Sequence, residues 1–318
     1  MIGEPGETDA ERLLRCIRGG DMLATARAIT AIDNGTPLGA ALSQEVRGTG
    51  RVCRTLGVTG PPGAGKSSLV SALIDLLLTH HLRIAVVTVD PSSPVSGGAV
   101  LGDRVRMAAH SRNANVFIRS LAARGHLGGV TRTTRSVVDL LAAAGFDLVI
   151  VETVGTGQSE VEVAGLTEVK LVVCPPGLGD DMQAIKAGVL EIADLLVVNK
   201  ADLPDADRTA GYLRAMLHHR GHDEKRTVLL VSSIAGDGLV ALVEAIEARF
   251  AACAAVREVR GMTLPSSVSD HAAELVRAFV RHASIGGICE AIDRGEITLR
   301  DAAITVIEEF VKRQGSSI

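Results

Sequence analysis

Residues 54–78 read RTLGVTGPPGAGKSSLVSALIDLLL. The apolar opening has the texture of a buried strand, and the closing SLVSALIDLLL repeats its apolar residues at helical spacing. Between them GPPGAGKS fits G-x-x-x-x-G-K-[ST]: strand, glycine-rich loop and helix in the order that surrounds phosphates. Backbone N–H groups of such a loop, with the helix N-terminus behind them, point at anionic oxygens. The expected phosphate contacts are Gly60, Pro61, Pro62, Gly63, Ala64, Gly65, Lys66, Ser67 and Ser68. Lys66 would reach the β- and γ-phosphates, and the Ser67 hydroxyl would bind Mg²⁺.

Working outward, CRTLGVTG, RIAVVTVD, FDLVIVET, KLVVCPP, DLLVVNKAD and RTVLLVSS are short Val/Leu/Ile-rich runs. Most are separated by enough chain for a crossover helix. Continuous rather than alternating apolar runs belong to strands covered on both faces. The fold expected is α/β, a P-loop NTPase three-layer sandwich with a mainly parallel sheet. Residues 1–50 read as an N-terminal helical segment, with a capping box at Thr8 and Glu11 opening the first helix. Residues 51–256 read as the nucleotide domain. Residues 257–318 read as a helical arm, where LVRAFVRHA and ITVIEEFV carry apolar stripes suited to a homodimer contact.

Asn199-Lys200-Ala201-Asp202 ends one of the runs. A carboxylate there can accept hydrogen bonds from both N1–H and the 2-amino group of guanine, a pattern adenine lacks. Downstream of a phosphate loop, Asn199, Lys200 and Asp202 therefore indicate GTP and GDP rather than ATP. At the end of the next run, Ser232, Ser233 and Ile234 lie where a backbone N–H could meet guanine O6, although an ordinary strand-to-helix turn explains them as well. Metal and γ-phosphate ligands should come from acidic residues at strand ends and in adjoining loops. Asp90, Asp103 and Glu152 follow the phosphate loop in that order, and any one of them could equally be a helix cap or a surface charge.

Composition narrows the alternatives. The 318 residues carry a net charge of −4 and only 2% aromatics, which argues against nucleic acid held by a general basic surface or by stacking platforms. Cys16, Cys53, Cys174, Cys253 and Cys289 are widely spaced, indicating neither a disulfide framework nor a zinc site. No uncharged apolar run reaches the ~18 residues of a membrane span. The expectation is a soluble cytoplasmic protein, without a membrane or nucleic-acid partner.

GPPGAGKSS, VDPSSPVSGGAVLGDRVRM, RGHLGGVTRTT, ETVGTGQSE and PPGLGDDMQAIKAGVLEIADLLVVNKAD together resemble the MeaB/MMAA/ArgK family. These are G3E-class P-loop GTPases that act as chaperones of adenosylcobalamin-dependent methylmalonyl-CoA mutase. Some members carry an older label of lysine/arginine/ornithine transport-system ATPase or kinase. The similarity runs from about Ala24 to the C-terminal helices. It implies a magnesium-dependent GTP hydrolase that gates cofactor loading and protects a mutase, with no cobalamin bound by the chain itself. It places Lys66, Ser67, Asp90, Asp103 and Glu152 at the Mg·GTP centre, with Lys66, Asp103 and Glu152 serving catalysis. It assigns Asp103 to a first switch, residues 152–157 to a second and residues 177–188 to a third, where Gln183 and Lys186 would couple to the partner. Pro94-Val95-Ser96 departs from the family pattern as a more constrained sequence in the first switch.

The residue after Gly155 is Thr156, where many small GTPases keep a water-orienting Gln, so unassisted hydrolysis should be slow. His218, His219 and His222 form a cluster that could bind metal but reads as solvated surface. Relatives that handle nickel or zinc carry a C-x-C-C motif or a long His tract, and neither is present. Arg104, Arg106, Arg124, Arg132 and Arg135 could contact phosphate or a partner, or be solvated charges.

Overall fold

The structure is a computed structural model that describes residues 7–47, 53–91, 108–110, 112–123, 129–153, 165–177, 192–219, 227–260 and 301–308. Seven parallel strands form one sheet: β1 (Arg54–Thr59), β2 (Ile84–Pro91), β3 (Val116–Ala123), β4 (Leu148–Thr153), β5 (Val169–Cys174), β6 (Leu195–Asn199) and β7 (Thr227–Val231). Their order is β3-β2-β4-β1-β5-β6-β7. β1 is thus central, between β4, with Val58 opposite Glu152, and β5, with Thr59 opposite Val172. In such open sheets ligands bind beyond the carboxyl ends of the strands, where the strand order reverses. The phosphate loop leaves β1 at that point.

The apolar runs behave as continuous patterning requires. Every residue of β4 and of β6 is buried, and Ile84, Ala85, Val86 and Val87 are all fully buried in succession. Side chains of both parities are therefore covered, which needs helices on both faces. The described helices are α1 (Asp9–Arg18), α2 (Met22–Asp33), α3 (Pro37–Arg47), α4 (Lys66–Leu78), α5 (Gly129–Ala143), α6 (Ala206–His219) and α7 (Leu239–Arg260). Among them none is long and apolar enough to cross a membrane.

The six apolar runs of the sequence are strands, but β3 is not among them. Its sequence, VFIRSLAA, breaks the apolar run with Arg119 and Ser120. The strand lies at the sheet edge, where the Arg119 guanidinium donates to Thr30 Oγ1 on α2 at 2.7 Å and Thr88 donates to Ser120 Oγ at 2.8 Å. Residues distant in the sequence thus supply hydrogen bonds to Arg119 and Ser120.

The N-terminal helices belong to the same core. Leu14, Ile17, Ile29 and Leu42 pack with Val137, Leu140 and Leu141 of α5 and with Val87, Val149 and Val151 of the sheet. Each such aliphatic side chain contributes about 1.5–3 kcal/mol by leaving water. The capping box also forms: Glu11 N–H donates to Thr8 Oγ1 at 3.2 Å, and Thr8 N–H donates to Glu11 Oε2 at 2.8 Å.

The chain divides into two compact units, Met1–Ala252 and Cys253–Ile318, so residues 1–50 and the sheet share one unit. Within the first, Arg54 donates to both Glu247 carboxylate oxygens at 2.9 and 2.7 Å and lies over the Phe250 ring, fastening α7 to the start of β1. In the second, residues 301–308 are helical, with Ala302 and Val306 buried.

Candidate nucleotide site

The loop at residues 60–65 is shaped by close approaches that only glycine tolerates. Gly60 has φ +141°, and a Cβ there would stand 2.0 Å from the Val173 carbonyl oxygen on β5. Gly65, at φ +83°, turns the chain into α4; a Cβ there would stand 2.5 Å from Asn199 Nδ2. Both positions combine left-handed backbone with no room for a side chain. The loop therefore lies flat against β5 and β6, with its N–H groups and the α4 N-terminus at one end of the sheet.

Lys66 and Ser67 are the first two residues of α4, and both are buried. Lys66 Nζ donates back to the carbonyls of Gly60 at 2.8 Å and Pro61 at 3.1 Å, so the ammonium lies across the loop. Ser67 Oγ donates to Glu152 Oε1 at 2.7 Å. Glu152 is 2% exposed at the end of β4, and beside it Thr153 Oγ1 donates to Thr59 Oγ1 at 2.9 Å. A hydroxyl and a buried carboxylate at the loop mouth are hard oxygen donors of the kind Mg²⁺ takes, so the pair fits that ion. Asp90 lies in β2, opposite Ala122 of β3, on the strand next to β4. Asp103, Gln183 and Lys186 lie outside the described residues.

Asn199 ends β6 and is fully buried. Its Nδ2 donates to the carbonyls of Ala64 at 3.0 Å and Gly65 at 3.2 Å, and its Oδ1 accepts from Ser233 N–H at 3.2 Å. One amide thus ties the phosphate loop to the β7–α7 turn. Lys200 adopts a left-handed backbone, φ +59°, turning the chain toward Asp202. Asp202 accepts from Ser232 Oγ at 2.5 Å. That hydrogen bond, then one from its own backbone and the nearby Lys200 charge, holds the Asp202 carboxyl below the usual carboxylate range. It is ionised at neutral pH, the form that accepts two N–H donors. Ser232 Oγ also receives Ala235 N–H, and the Ser232 carbonyl receives Gly236 N–H. This closed turn leaves Ile234 88% exposed beside Asp202.

The structure thus brings Gly60–Ser67, Glu152, Asn199, Asp202, Ser232 and Ser233 to one end of the sheet. Pro61, Pro62, Gly63 and Ser68 occupy the loop and the first turn of α4. His218 and His219 end α6, whereas His222 lies outside the described residues, as do Arg104, Arg106 and Arg124. Arg132 and Arg135 lie on α5, the latter exposed. Two contributions have no sequence signal. Thr59 and Thr153 read as ordinary strand residues, and Thr209, buried on α6, accepts from Gly177 N–H at 3.1 Å.

Comparison with known proteins agrees with this geometry. The family described as "Methylmalonyl Co-A mutase-associated GTPase MeaB" matches residues 25–290. The chain is 45% identical over 207 residues to GTPase ArgK of Escherichia coli, covering 64% of this chain and 61% of that protein. It is 40% identical over 203 residues to the mitochondrial methylmalonic aciduria type A homolog of Mus musculus, covering 62% of this chain and 49% of that protein. The crystal structure of a LAO/AO transport system kinase superposes with a TM-score of 0.68 at 26% identity, covering 98% of this chain and 99% of that one. The chain spans less than two thirds of both relatives' length, and likewise 61% of a Pyrococcus abyssi relative.

Asn199→Ala should leave the carbonyls of Ala64 and Gly65 and the N–H of Ser233 without their side-chain partner. The expected loss is about 2–4 kcal/mol of folding stability in urea denaturation of the nucleotide-free protein. A change below ~0.5 kcal/mol would show that this amide does not hold the two loops.

Proposed function

Because the chain belongs to the MeaB family of methylmalonyl-CoA mutase-associated GTPases, we propose that it binds Mg·GTP, hydrolyses it slowly, and uses the change to gate a cobalamin-dependent mutase. The observation that carries this reading is the Asn199 bridge, which sets a phosphate loop and an ionised Asp202 in fixed relation. Their joint ligand is a guanine nucleotide.

The chain's residues divide the task. The N–H groups of the loop receive phosphate oxygens, and Lys66 exchanges the carbonyls of Gly60 and Pro61 for β- and γ-oxygens. Asp202 accepts from N1–H and the 2-amino group of guanine, while Ser232, Ser233 and Ile234 border the base. Ser67, Asp90, Asp103 and Glu152 would hold Mg²⁺, which when bound neutralises charge on the β- and γ-phosphates. In hydrolysis a bond forms from water oxygen to the γ-phosphorus and the β–γ bridging P–O bond breaks, giving GDP and phosphate. Thr156 stands after Gly155 where the usual water-orienting Gln would be, so hydrolysis is slow until the partner assists.

By family, the partner is an adenosylcobalamin-dependent methylmalonyl-CoA mutase or a related acyl-CoA mutase, met in the cytoplasm. A switch acts on a partner only if that partner binds its states with different affinity. Residues 177–188, with Gln183 and Lys186, are proposed to carry that difference outward. Their start is anchored, since Gly177 is bonded to Thr209. The similar LAO/AO transport system kinase supplies the second reading, an ATP-dependent phosphotransferase of amino-acid uptake. Asp202 disfavours it, because its carboxylate has no matching donor pair on adenine.

Ile304 and Ile307 are 47% and 49% exposed on the helical stretch 301–308, which supports a homodimer formed through the C-terminal unit. Truncation after Gly261 should give a monomer by light scattering; a truncated protein that still dimerises contradicts this. For the partner, the test is a steady-state GTPase assay with and without the cognate mutase. The mutase should raise kcat at least ~10-fold, about 1.4 kcal/mol of barrier, and Lys186→Ala should lose most of that ratio. An unchanged rate with the mutase, or equal acceleration of Lys186→Ala, would overturn the coupling.

A further inference from the structure

Thr59 and Thr153 are the last residues of β1 and β4, neighbouring strands at the centre of the sheet. Val58 opposite Glu152 is the last aligned pair of the two strands, so the threonines stand one step beyond it. Thr153 Oγ1 donates to Thr59 Oγ1 at 2.9 Å, and the two residues are 2% and 3% exposed. A hydroxyl buried in an apolar core costs free energy unless it is bonded. Valine has the same branched shape and would fill the space with no polar atom to satisfy.

The pair sits at the root of the phosphate loop. Thr59 precedes Gly60, where the loop begins, and Thr153 follows Glu152, whose carboxylate accepts from Ser67 Oγ at the loop's far end. Consecutive strand residues point to opposite faces of a sheet. Val149 and Val151, of the same parity as Thr153, pack toward α5 and the N-terminal helices, whereas Glu152 reaches α4. One dipeptide thus grips the loop at both ends, and Thr59, residues 60–67, Glu152 and Thr153 form a closed ring. The two hydrogen bonds of that ring differ in what a metal does to them. Ser67 Oγ and the Glu152 carboxylate are the oxygens suited to Mg²⁺, so their mutual bond competes with the ion. The threonine bond uses neither of them.

We propose that Thr59 and Thr153 are positioning residues for the metal-bound site: their bond keeps Glu152 in register with the phosphate loop once the Ser67–Glu152 bond has given way. This rests on the reading above, in which Ser67 and Glu152 hold Mg²⁺ beside GTP. While Ser67 and Glu152 are bonded to each other, the threonine pair is a second tie between β4 and the loop. When both turn to the metal it is the remaining side-chain tie of the ring. GDP held without metal by the loop, Asn199 and Asp202 does not call on it.

The test uses the full chain without the mutase and measures three quantities. They are stability in urea, affinity for fluorescent GDP in EDTA, and the Mg²⁺ concentration that half-saturates binding of a fluorescent non-hydrolysable GTP analogue. Thr59→Val and Thr153→Val each leave one buried hydroxyl unpaired. Each should raise the half-saturating Mg²⁺ concentration about 3- to 10-fold, the loss of one hydrogen bond. The double variant removes both hydroxyls together, so its stability should return close to that of the unmodified chain. Its Mg²⁺ requirement should stay raised by the same factor, because all three variants lack the same bond. GDP affinity in EDTA should stay within about twofold throughout. Thr153→Ser, which keeps the hydroxyl, should show near-normal Mg²⁺ dependence. A purely structural pair gives another pattern, in which the double variant recovers stability and Mg²⁺ requirement together, and that result overturns the proposal. So does an unchanged Mg²⁺ requirement in either single variant, or GDP affinity in EDTA that falls by the same factor. Failure of the underlying reading looks different: Ser67→Ala would then bind the analogue with an unaltered Mg²⁺ requirement, and the proposal falls with it.

Discussion

The Asn199 side chain holds together two pieces of backbone that no ladder hydrogen bond connects. The phosphate loop leaves β1 and the β7–α7 turn leaves the sheet three strands away in the order of the sheet. Each is a loop, and loops tolerate alternative conformations at little cost. A fully buried amide that donates to Ala64 and Gly65 and accepts from Ser233 gives them a common reference point. Gly65 must be glycine partly for that reason, since a Cβ there would meet the amide. A ligand that spans phosphate and base then meets a preformed distance instead of ordering the site itself, which conserves binding free energy.

From that fixed frame the rest of the site follows. The loop bends back on β5 at Gly60, so α4 starts beside β4 and Ser67 reaches Glu152. The hydroxyls of Thr59 and Thr153 join β1 to β4 just beneath. Asp202, kept ionised by Ser232, stands at the other end of the same assembly. The chain leaving β5 through Pro175, Pro176 and Gly177 is tied to α6 by Thr209, and α6 itself follows the turn that carries Asp202. The start of that chain, Gly177, is thus hydrogen-bonded to the helix that follows Asp202.

Local motifs make much of this legible in the sequence. The phosphate loop and N-K-A-D are short, and their glycines and polar residues sit at strand ends marked by apolar runs. The family resemblance rests on such segments too, and the match over residues 25–290 covers them. What the sequence withholds is long-range. β3 is hidden because Arg119 finds its partner in Thr30, 89 residues earlier. That the N-terminal helical segment shares a core with the sheet is hidden too, because its apolar faces meet α5, about a hundred residues on. In one dimension Asn199 points to guanine alone; its role as a tie needs the positions of Ala64 and Ser233. Thr59 and Thr153 carry no signal there either, being 94 residues apart.

The claim on which everything else turns is that one end of this sheet is built for a guanine nucleotide. Isothermal titration of the unmodified chain with GDP and with ADP, both with Mg²⁺, tests it without any partner. GDP is predicted to bind at least ~100-fold tighter, since adenine leaves the Asp202 carboxylate without its two donors. Equal affinities for the two nucleotides would contradict it.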